Sequence, residues 1–91
     1  MPRPKTNPAL IETEILRLIA ERGPTKTICP SEPARAIAGS DTAAWGALMP
    51  IVRRTAVQMA DEGRIVITRK GKVADPHDFR GVYRLGSPHF E

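Results

Sequence analysis

Sulfur, aromatic rings and long apolar runs are all scarce in this chain. A single cysteine, Cys29, stands among 91 residues, so no intramolecular disulfide can form and no cysteine cluster can hold a metal. Folding must proceed without staples. The aromatics are one Trp, one Tyr and two Phe, which leaves the core to aliphatic side chains. No stretch approaches the roughly 18 consecutive apolar residues that span a bilayer, and Met1–Lys5 leads into an amphipathic segment with no signal-peptide core. A cytoplasmic protein with no membrane partner is the expectation. Internal repeats and low-complexity tracts are also absent.

What is present suits one small folded domain. The length allows a single hydrophobic core and no second one, and 41% hydrophobic with 26% charged residues is near the globular average. Nine prolines and seven glycines are more than such a length usually carries and read as boundaries between short elements. Lys and Arg number 14 against 10 acidic residues, a formal net charge of +4, with a sequence pI of about 9.8. That balance favours anionic partners, nucleic acid before membrane, and says nothing about fold.

Asn7-Pro8 is a helix start, because Asn accepts from an orphan N–H and Pro at the first helical position lacks a donor that would be wasted there. The helix runs to about Arg22, with Ile11, Ile15, Leu18 and Ile19 on one face, and Gly23-Pro24 stops it. Thr25–Cys29 reads as a short strand in preference to an extended connector. Ser31 is the expected N-cap of a second helix through Ala38, with Glu32 and Pro33 in its first turn. Asp41 or Thr42 can start a further helical turn carrying Trp45. A third helix is placed at Pro50–Glu62, burying Val52, Ala56, Met59 and Ala60 and exposing Arg54, Val57, Gln58 and Asp61, with Arg53 on the flank. After Gly63, Arg64–Thr68 and Val82–Leu85 read as strands. Between them Arg69–Arg80, followed by Gly81, is too long for a two-residue hairpin turn, and the expected form is an antiparallel pair with an extended tip. Residues 1–6 are expected as a flexible basic arm, 7–86 as the domain and 87–91 as a loose tail.

Helix, short strand, helix, helix, strand, long loop, strand is the order of a winged helix-turn-helix, an α+β fold with a three-helix bundle and a small antiparallel β-hairpin wing. In that fold the third helix can enter the major groove of double-stranded DNA while the wing reaches phosphates or the adjacent minor groove. Residues 64–73 carry Arg64, Arg69, Lys70 and Lys72 with no acidic residue, a local +4 that equals the net charge of the whole chain. Arg53 and Arg54 open the third helix, where guanidinium forks suit guanine O6 and N7. Gln58, one turn beyond Arg54, suits adenine. Arg69, Lys70 and Lys72 are the candidate phosphate contacts. The opposing reading is a solvated mixed surface or a protein interface presenting Ile51 and Val57 to a partner or to a second copy, since Asp61 and Glu62 share that helix.

No catalytic residue, metal site or cofactor is expected. Cys29 with His77 or His89 has no nucleophile–base signature, Asp75, His77 and Asp78 lack a ligand spacing, and Trp45 reads as a core anchor.

Arg22-Gly23-Pro24, Lys26–Glu32, Ala34-Arg35, Trp45, Leu48-Met49-Pro50, Val52-Arg53, Gly63-Arg64-Ile65 and Thr68–Lys72 together resemble a family of small bacterial domains catalogued as a domain of unknown function. The resemblance spans roughly residues 9 to 85. It implies a winged-helix fold and places Cys29-Pro30-Ser31-Glu32 and Arg35 in the family pattern, with Pro33 where the family has Val. It carries no biochemical activity, and fold alone does not supply one.

Overall fold

The computed structural model describes residues 7–90; the arm expected at residues 1–6 lies outside them. The chain is α+β. Its elements run α1 (Pro8–Arg22), β1 (Thr27–Ile28), α2 (Ser31–Ala38), α3 (Thr42–Gly46), α4 (Met49–Asp61), β2 (Val66–Arg69), β3 (Lys72–Ala74) and β4 (Arg84–Gly86). The strands form one antiparallel sheet in the order β1-β4-β2-β3.

Helix α1 begins and ends as its punctuation dictates. The Asn7 side chain accepts from the Leu10 N–H at 3.1 Å, Pro8 occupies the first turn, and Gly23 closes the helix by donating to Ile19 O. Ile11, Ile15 and Ile19 are buried and Leu18 is partly so. They meet Val52, Ala56 and Met59 of α4 in a core completed by Ile28, Ala34, Ile65, Ile67, Tyr83 and Leu85. Register explains the sheet's share of that core: Ile67 lies opposite both Leu85 and Ala74, and Leu85 opposite Ile28. These residues therefore project to the same face of the pleat.

The entry to α2 differs from the expected serine cap. Ser31 is the first helical residue, and its hydroxyl lies 3.1 Å from the Cys29 thiol. The Glu32 carboxylate reaches back instead, accepting from the Cys29 N–H at 2.8 Å and pairing with Arg22 at 2.5 Å. Arg22 also donates to Thr27 O. One carboxylate thus joins the end of α1, the first strand and the start of α2, which satisfies an orphan donor and an ion pair together.

The bundle holds four helices where three were expected. Asp41 accepts from the Ala43 N–H and starts α3 as a separate short helix, and Pro50 falls in the first turn of α4, where its missing donor costs nothing. Trp45 is partly buried against the core with the Arg35 guanidinium 5.3 Å from its ring centre.

A second difference lies in the segment expected as the wing. Strands β2 and β4 pair as expected, but the connection between them contains a strand of its own. Arg69 pairs with Lys72, so β2 and β3 are joined by the two-residue turn Lys70-Gly71. Both turn residues have positive φ, 52° and 82°, the geometry whose twist matches that of two antiparallel strands. The long connection between β2 and β4 thus divides into this tight hairpin with β3 and a return segment, residues 75–83, beyond it. Ser87–Phe90, expected to trail off, makes a turn closed by Phe90 N–H to Ser87 O, and Phe90 Cβ lies close to Gly86.

Candidate nucleic-acid interface

Helix α4 buries Val52, Thr55, Ala56 and Met59 and turns Pro50, Arg53, Arg54 and Gln58 to solvent, with Val57 half-buried among them. Pro50, Arg53, Arg54 and Val57 lie within an arc of about 100° on the helix and line a shallow hollow of about 370 Å³. The floor is mainly apolar.

The structure divides the six expected contact residues. Arg53 is engaged within the fold: its guanidinium lies 4.0 Å from the Phe79 ring centre and 5.5 Å from that of Tyr83, and donates to Phe79 O at 3.2 Å. Phe79 and Tyr83 pack with ring centres 5.2 Å apart at a tilt of 58°, an arrangement that suits ring quadrupoles. Arg69 likewise turns along the wing and donates to Val82 O at 2.7 Å. Gln58 donates to Glu62 over a long 3.4 Å. No hydrogen bond or ion pair holds the side chains of Arg54, Lys70 and Lys72 among the described residues, and all three are exposed.

The sequence's local +4 is also redistributed. Arg64 pairs with Glu12 at 2.8 Å and with Glu62 at 3.2 Å, which holds its guanidinium further toward the charged form, chiefly through the Glu12 hydrogen bond. The positive charge of this region is thereby concentrated at the hairpin tip. On α4 the acidic C-terminal end is occupied too, since Asp61 places both carboxylate oxygens 2.8 Å from His77 Nε2 and Glu62 takes Arg64. The N-terminal half of the exposed helix face retains only cationic and apolar residues.

Two contacts from the return segment therefore clip the wing to α4: Arg53 with Phe79 and Asp61 with His77. Sequence reasoning missed both. The signal available was the Phe79/Tyr83 aromatic pair, four residues apart in a loop otherwise poor in apolar groups. Tyr83 is buried, and its hydroxyl finds no partner among the described residues. Burial pushes its pKa up from the ordinary tyrosine value, partly opposed by Arg53 and reinforced by Cys29.

Cys29 is a half-buried free thiol, and no group of three or more candidate metal ligands occurs among the described residues. Nor is any described helix long and apolar enough to cross a membrane.

Fold and surface together define a small α+β domain whose basic hairpin is fastened beside the exposed face of one helix. The chain belongs to the family described as "Protein of unknown function (DUF3253)", whose model matches residues 8–88. No curated protein matches it.

Proposed function

We propose that this chain is a cytoplasmic winged-helix protein without enzymatic activity that binds double-stranded DNA weakly. Arg54 and Gln58 of α4 face the major groove, and Lys70 and Lys72 meet phosphates from the wing. Arg53 serves mainly to hold the wing to the helix and Arg69 to brace the wing internally, both adding their charge to the same surface. The observation that supports the reading best is the tight Lys70-Gly71 turn, which presents Lys70 and Lys72, unpaired among the described residues, on a hairpin whose return segment is clipped to α4 at Arg53 and Asp61. A preset spacing between helix and wing lowers the ordering cost of engaging both at once.

A salt-titrated binding curve on random-sequence duplex tests it. Contacts by Lys70 and Lys72 correspond to about two phosphates and a log–log slope of about −2. The triple variant Arg54→Ala, Lys70→Ala, Lys72→Ala is expected to lose most of that slope. Equal binding by parent and variant at low salt refutes the assignment. Salt-independent association of the protein with itself, seen by sedimentation, would favour the protein-interaction reading through Ile51 and Val57.

A further inference from the structure

The hollow on α4 differs from a plain phosphate-binding surface. Phosphate contacts need cations and donors, whereas this depression has Pro50 and Val57 as apolar lining and two arginines at its sides. Arg53 cannot swing away to fill it without giving up its stack on Phe79 and its bond to Phe79 O, so that wall is preformed. Arg54, held by no intramolecular hydrogen bond or ion pair among the described residues, is able to extend past the rim. The matching occupant combines apolar groups with acceptors for a guanidinium, inside a polyanion that complements Lys70 and Lys72. In the major groove a base-pair edge fits that description: the C5-methyl of a pyrimidine is its apolar group, and neighbouring purine N7 and carbonyl oxygens are the acceptors.

We infer that the Pro50/Val57 hollow receives the 5-methyl groups of thymine, so that α4 reads pyrimidine methylation at C5 while Arg54 engages the adjacent base edge. The inference rests on the proposed DNA binding and adds a sequence preference to it. The hollow, about 370 Å³, admits more than one methyl, so the thymines of two adjacent base pairs can share it.

The test compares alternating d(A-T) duplex with alternating d(A-U) duplex, which keeps the phosphates and the hydrogen-bonding pattern and removes only the methyls. The parent protein is expected to bind d(A-T) about fourfold more tightly for each methyl covered, the factor that follows from burying one such carbon group. Val57→Ser, which puts a hydroxyl on the floor, is expected to narrow the difference. The same preference should separate d(G-m5C) from d(G-C), a comparison that needs no variant. Equal affinity of the parent for d(A-T) and d(A-U), or a preference that survives Val57→Ser undiminished, overturns the methyl assignment alone. Failure to bind any of these duplexes at low salt overturns the DNA reading beneath it.

Discussion

Replacing Arg53 with alanine removes a guanidinium stacked 4.0 Å from Phe79, its more distant contact with Tyr83 and its hydrogen bond to Phe79 O. At an exposed site the stacking contributes about 0.5–1 kcal/mol, and the solvent-accessible hydrogen bond a similar amount. The sum of about 1–2 kcal/mol corresponds to a factor of about 5–30 in an opening equilibrium. The loss should fall on the wing before the core, because Phe79 belongs to the return segment while the isoleucines of α1 are untouched. Native-state amide exchange is the suitable assay. Protection at the wing amides of β2–β4, such as Arg69 and Arg84, is expected to drop by that factor, with amides of α1 changing less. Arg53→Lys keeps the charge and loses the planar fork, and it should recover little of the protection. If Arg53→Ala exchanges like the parent throughout the wing, Arg53 is a solvated cation and the clip between wing and α4 is refuted.

Two further outcomes follow from the same geometry. Tyr83→Phe deletes a buried hydroxyl that has no partner, so urea unfolding near neutral pH should show no loss of stability, and up to about 1 kcal/mol gained. Because burial raises the folded tyrosine's pKa, the unfolded chain releases its proton first as pH rises above about 10. Stability present below that pH is then lost on passing through the folded value, and Tyr83→Phe should flatten this alkaline decline; an unchanged pH profile contradicts the burial. Gly71→Ala forces a side chain into the positive-φ turn, with no steric clash at the added carbon. The cost is therefore backbone strain of about 1–2 kcal/mol, whereas Lys70→Asn, in the sequence best suited to such turns, should be neutral or stabilising. Equal urea midpoints for Gly71→Ala and Lys70→Asn would contradict the two-residue turn.

Elements fixed by local chemistry were legible in the sequence. Asn7-Pro8 and Gly23-Pro24 bracket α1 because caps act within a turn of the helix, and the 3.6-residue spacing of Ile11, Ile15 and Ile19 marks its buried face. Helix α4 differs from its expected limits by one residue at each end. The Lys70-Gly71 turn was hidden because lysine seldom takes positive φ, and strand β3 has only three residues to announce it. Features set by distant partners were not legible. Arg53 lies beside Phe79 across 26 positions, and Glu12 reaches Arg64 across 52. A charge pattern in sequence therefore located the basic region correctly but could not separate cations consumed by the fold from those left for a partner. At α2 the serine signal competed with Glu32, whose longer carboxylate can satisfy Cys29 N–H and Arg22 together.

In the proposed function, α4 and the hairpin present one DNA-binding surface. Its most direct test is an amide and side-chain chemical-shift titration of the full chain with random-sequence duplex at low salt. Coupled perturbations are expected at Pro50–Gln58 and at Arg69–Val73 with a common midpoint, shifting together to higher DNA concentration as salt is raised. Perturbations confined to another face, such as the exposed side of α1, or separate midpoints for helix and wing, would contradict it.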